Sequence, residues 1–156
     1  MTTTAPGTWS RRDAVLLVLT SSTLAVIAAQ FALAGLAAFR TLRAPAGTAY
    51  APHEALGIVI GVLAWVILGV VLASPAARGW TGTLWPAVAL ALLAIPVEPL
   101  LSEAGRHVPA VGALHAVTGL AIFALAARLT GAAGRQREIT RRRPATTASR
   151  ADASQS

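Results

Sequence analysis

The chain has 156 residues, of which 55% are apolar and 12% charged, and its mean hydropathy is +0.64. A soluble domain carries about a quarter charged residues, so composition alone argues against a water-soluble globule. Cysteine is absent, which excludes disulfides, thiolate metal centres and cofactors attached through Cys-x-x-Cys-His.

In chain order, residues 1–12 form a short polar lead. Four apolar stretches follow, at about 14–39, 53–74, 84–101 and 108–130. Each is near the roughly 18–20 residues that cross a hydrocarbon core as a helix. The third is interrupted by Glu98 and by prolines in "PVEP", Pro96–Pro99, and a kink is expected there. Pro52 is expected in the first turn of the second helix, where its missing N–H costs nothing. The sequence therefore predicts an all-α, four-helix transmembrane bundle running up-down-up-down. Residues 131–156 turn polar and basic, "GAAGRQREITRRRPATTASRADASQS", and read as a disordered tail.

The +7 charge is a topology signal rather than a nucleic-acid signature. All 13 basic residues are arginine. Ten fall on one side of the four spans, including Arg11, Arg12, Arg78, Arg128 and the cluster Arg141–Arg143. Only Arg40, Arg43 and Arg106 fall on the other. The positive-inside rule then puts both termini in the cytoplasm, as in a multi-pass protein of a bacterial inner membrane. Trp9, Trp80 and Trp85 lie near the same interface, where amphipathic rings favour the headgroups. "SRRDAVLLVL" has a twin-arginine look, but the apolar run is about twice the 7–15 residues of a signal peptide. The bilayer is the expected partner, with a second membrane protein or another copy as further candidates.

Polar groups at membrane depth are costly and usually face the bundle interior. Four matter here: Gln30, His53, Glu98 and His115. With these boundaries all four lie in the outer half, and the inner half is nearly bare apart from Ser21, Ser22 and Thr23. Small residues accompany the histidines: Gly57 and Gly61 follow His53, and Gly112 and Gly119 flank His115. Glycine beside an imidazole leaves a flat gap, which a porphyrin needs. Helices two and four are diagonal in such a bundle, so His53 and His115 could ligate one iron from opposite sides. Arg40, Arg43 and Arg106 would meet the propionates, and His107 is a substitute ligand. Small-x-x-x-small stripes equally serve plain helix packing, and a lone histidine equally serves a structural hydrogen bond. By these boundaries His115 lies about 9 Å deeper than His53, a mismatch for shared ligation. Glu98 could instead carry protons or bind a cation, pairing with His53, His107 or Arg106. No nucleophile–base arrangement, phosphate loop or His-x-x-x-His motif is visible.

The segments "QFALAGLAAF" (Gln30–Phe39), "HEALG" (His53–Gly57), "EPLL" (Glu98–Leu101) and "LHAVTGLAIFALA" (Leu114–Ala126) resemble a family of small bacterial four-helix membrane proteins of unestablished function. The likeness covers residues 13–130. The third helix of that family ends Gln-Pro where this chain has Glu98–Pro99, so a role needing a neutral amide does not carry over. More distantly, the layout resembles one half of haem A synthase and other four-helix b-type cytochromes. That resemblance implies haem b, His53 and His115 as ligands, and electron transfer or haem handling. The alternatives are a small proton- or cation-coupled transporter subunit centred on Glu98, and a non-catalytic membrane partner subunit.

Overall fold

The computed structural model describes residues 11–42, 46–74 and 82–142. They form α1 (Arg11–Arg40), α2 (Ala46–Ala73), α3 (Leu84–Leu92), a π-helical turn (Leu93–Val97), α4 (Glu98–Gly105) and α5 (Pro109–Arg142). No strand occurs among the described residues. Four segments are long and apolar enough to cross a membrane: Arg11–Arg40, Thr48–Ala73, Leu84–Gly105 and Pro109–Thr140. The third is α3, the π turn and α4 taken together.

Each helix packs on its chain neighbours, and α1 closes the ring against α5. The result is an up-down-up-down bundle in which α2 and α5 lie across a diagonal. Ala64, Ala87, Ala91 and Ala126 are fully buried, with Leu16, Ile67, Leu90 and Leu129 filling the space between them. Small side chains let helix backbones approach closely, which is how apolar helices associate where lipid is as greasy as the partner. Asp13 in the first turn of α1 and Arg40 in its last turn oppose the helix dipole favourably. At the end of α2, Arg12 donates to the Ala73 carbonyl at 2.9 Å, satisfying an acceptor the helix leaves open.

Several boundaries differ from the sequence reading, and two of them matter for the site. α2 begins at Ala46 rather than near 53, so Pro52 sits inside the helix and not in its first turn. The third span continues to Gly105 rather than ending near 101. α5 runs on to Arg142, so 131–142 is helix and not disordered tail. The Arg-, Gln- and Glu-containing stretch after Gly134 keeps good helix formers in phase, with a Glu138–Arg142 pair four residues apart. Trp9, Arg43, Arg78, Trp80, Arg143 and Arg150 lie outside the described residues, as do residues 143–156 of the tail.

The expected kink is present as a break. Pro96 and Pro99 have no N–H to donate. Ile95, which precedes Pro96 through a cis bond, is extended at φ −149°, ψ 117°. The Glu98 N–H reaches back five residues to the Leu93 carbonyl, and the helix resumes. Glu98 thus opens the first turn of α4, at the edge of a local unwinding that faces α2.

Candidate functional site

One cavity of about 550 Å³ lies in the half of the bundle away from the described chain ends. All four helical spans contribute to its wall. α1 supplies Gln30 and Phe31, α2 supplies Tyr50, His53, Glu54 and Gly57, the third span supplies Ile95, Glu98 and Arg106, and α5 supplies His115 and Gly119. Most of the remaining lining is aliphatic.

The two histidines stand at nearly the same depth. His53 lies seven residues into α2 and His115 six residues into α5, which puts each about 10 Å from its helix end at 1.5 Å per residue. The mismatch expected from the sequence came from starting α2 too late. The two imidazoles face each other, ring centroids 6.3 Å apart and planes inclined by 74°.

Each ring is held through Nδ1 by a different neighbouring span. His53 Nδ1 lies 3.2 Å from the backbone carbonyl of Gln30. A carbonyl only accepts, so Nδ1 carries the proton and Nε2 keeps the lone pair. His115 Nδ1 lies 2.5 Å from Glu98 Oε2, the side chains being 33% and 17% exposed. Both atoms are sealed from solvent, and they meet as an ion pair whose geometry falls short of a hydrogen bond. Against an ionised carboxylate, which only accepts, His115 Nδ1 likewise carries the proton. Nε2 of each ring then keeps a free lone pair. Nδ1 fixed by a carbonyl or a carboxylate is the arrangement that orients metal-ligating histidines.

The glycines beside the rings have specific neighbours. A Cβ on Gly57 would lie 3.3 Å from Gln30 Nε2. One on Gly119 would lie 3.5 Å from Glu98 Oε1 and 3.7 Å from Phe31 Cε1. Both glycines line the cavity, with these side chains as their nearest neighbours. Gly61 takes the Ile95 side chain where the third span unwinds, and Gly112 packs against Gly105 at the α4–α5 turn. Neither glycine belongs to the cavity. The Gln30 side-chain oxygen is buried and has no hydrogen-bond partner among the described residues.

The cavity mouth is more acidic than expected. Arg106 bridges Glu54 at 3.4 Å and Glu103 at 3.3 Å, all three side chains being at least half exposed. Its charge is already shared by two carboxylates. Arg40 ends α1 and does not line the cavity, and His107 sits exposed on the turn, also outside it. Arg43 is outside the described residues. Of the expected propionate partners that the structure describes, Arg106 lines the cavity and Arg40 does not; His107, the expected substitute ligand, does not line it either.

Sequence reasoning missed Tyr50, whose ring stands edge-on to His53 at 6.1 Å, and Glu54. It also missed the Glu98–His115 pairing. That pairing had a signal: the turn at Arg106–Val108 is a hairpin, and the two residues are nearly equidistant from it. Among the described residues, no group of three or more His, Cys, Asp or Glu is placed to hold a metal ion. No family model, curated protein or solved structure matches this chain.

Proposed function

We propose that the chain is a b-type haem protein of a bacterial inner membrane, with His53 and His115 as the axial pair and a role in electron transfer or haem handling. The observation that carries this reading is the paired imidazoles across one cavity, each with Nδ1 engaged and Nε2 free. Two imidazoles bound through Nε2 to one metal have ring centres about 6 Å apart, from two bonds of about 2 Å and about 1 Å within each ring. The separation of 6.3 Å fits that requirement. The donor set is also right for haem iron, which needs two axial ligands rather than a cluster of three.

Haem, when bound, supplies a one-electron couple. The chain's own residues do the rest. The Gln30 carbonyl and the Glu98 carboxylate hold the two ring orientations, and Ile27, Ile60, Ile95 and Ile122 limit water. Arg106 is the cation nearest the mouth, so the propionates would share it with Glu54 and Glu103 and rely on solvent for the remainder. The arginine distribution favours placing this mouth on the outer face, with both termini in the cytoplasm.

The test is to express the chain with haem supplied, purify it in mild detergent and record oxidised and reduced visible spectra. A sharp Soret band with reduced α and β bands is expected, lost in His53→Ala and in His115→Ala. A folded, colourless protein at full haem supply sinks the reading.

One observation favours a second reading. Three carboxylates, Glu54, Glu98 and Glu103, line the cavity against a single guanidinium, and the Gln30 side-chain oxygen has no hydrogen-bond partner among the described residues. A small cation or a transported proton centred on Glu98 suits that balance. It predicts flux in vesicles that is lost in Glu98→Gln, with no visible absorbance.

A further inference from the structure

We infer that Glu98 is a positioning residue that makes the two axial imidazoles unequal, His115 being the stronger donor; this rests on the haem reading above. The two rings differ in one respect. His53 Nδ1 meets a neutral peptide carbonyl at 3.2 Å, whereas His115 Nδ1 meets a carboxylate at 2.5 Å. A carboxylate behind a ligating imidazole raises its basicity, and a backbone carbonyl does so far less. The carboxylate acts on the His115 ring through its charge at close contact. The local surroundings amplify the difference, since both atoms of the pair are sealed from solvent and water cannot screen them.

The fold holds Glu98 in place for this. It opens α4 directly after the unwound segment, and Pro99 follows it, so its backbone is held at a helix start. Gly119 lies one turn beyond His115 on α5, and a Cβ there would meet Glu98 Oε1 at 3.5 Å, an ordinary contact. Were haem held there, a stronger donor at His115 would favour the oxidised iron, so Glu98 would lower the midpoint potential. Ligation by His53 alone would not be affected.

The experiment is potentiometric titration of the haem-loaded, full-length protein in detergent, comparing wild type, Glu98→Gln, Glu98→Asp and Glu54→Gln. Glu98→Gln keeps the size and an acceptor oxygen but removes the charge. The expected result is a higher midpoint potential in Glu98→Gln, accompanied by a changed spread of the ferric low-spin EPR g values. Glu54→Gln removes a carboxylate from the same cavity without touching His115, and should move both readouts much less. Glu98→Asp should fall between wild type and Glu98→Gln. Loss of haem in Glu98→Gln with retention in Glu98→Asp supports the inference equally. A coloured Glu98→Gln with wild-type potential and EPR signal overturns it alone, as does an equal shift in Glu54→Gln or loss of haem from both Glu98 variants with helicity intact. A colourless wild type removes the haem reading and this inference together.

Discussion

His53 on α2 and His115 on α5 meet across the bundle diagonal with ring centroids 6.3 Å apart, although 61 residues separate them in the chain and their helices are not chain neighbours. The register of two hairpins produces this meeting. The packing of α2 on α1 sets His53 against the Gln30 carbonyl. The Arg106–Val108 turn sets His115 against Glu98. Each histidine is thus fixed by the span next to it, and the diagonal contact follows.

Of the three histidines, only His107 should be dispensable. It is exposed on the α4–α5 turn and does not line the cavity. Visible spectra of haem-loaded His107→Ala should match wild type in band position and amplitude. His53→Ala and His115→Ala should each lose low-spin bands. An altered His107→Ala spectrum would mean that the axial pair is wrongly assigned.

Gly61 is where α2 accommodates the broken third span. A Cβ at this position would overlap the Ile95 side chain. Gly61→Ala should therefore destabilise the bundle by about 1–3 kcal/mol, the usual cost of overpacking. Both Cδ1 and Cγ1 of Ile95 overlap this Cβ, and Ile95 is exposed, so truncating it to alanine should relieve the overlap. Thermal unfolding in detergent of Gly61→Ala, Ile95→Ala and the double variant forms a mutant cycle. A double variant as unstable as the sum of the singles would show that the two residues do not meet.

The neighbouring glycine pair should behave asymmetrically. A Cβ on Gly105 would sit 2.8 Å from the Gly112 Cα, which is backbone and cannot swing aside. A Cβ on Gly112 has its closest approach at 3.7 Å, an ordinary contact. Gly105→Ala should lower the melting temperature well beyond Gly112→Ala, and its haem occupancy should fall as α4 shifts relative to α5. Equal effects from both substitutions would contradict the geometry of this turn.

Much of this architecture is legible in the sequence, and the failures have local causes. Apolar length gave four spans, because each must cover a hydrocarbon core. Pro96 and Pro99 gave the break, since neither can donate to a helical ladder. The start of α2 was misread because "AGTAYAP" has no hydrophobic signature, yet its small residues extend the helix to Ala46 and carry His53 deeper. "SEAGRH" read as loop because it is polar, but Ser102–Gly105 continues the third span and lowers Glu98 to the depth of His115. Depth errors of this kind do not alter fold class. They decide which polar groups meet, so the candidate residues were identifiable and their partners were not. The split of Arg106 between Glu54 and Glu103 was hidden for the same reason, since it joins residues 52 positions apart.

Arg106 offers the last test, because its two roles have opposite signatures. Its ion pairs with Glu54 and Glu103 are exposed, with 60% of the arginine side chain accessible. Exposed pairs contribute about 0–1 kcal/mol and are screened by salt. Arg106→Gln should therefore leave thermal stability nearly unchanged, and any loss should vanish at high ionic strength. If Arg106 also faces the propionates, the same substitution should weaken haem retention in a transfer assay to an apo-haem acceptor. Removing its competitors in Glu54→Gln/Glu103→Gln should strengthen retention, since the guanidinium is then free. A double carboxylate variant that releases haem faster than wild type would place the propionates elsewhere and leave Arg106 as a surface bridge between α2 and α4.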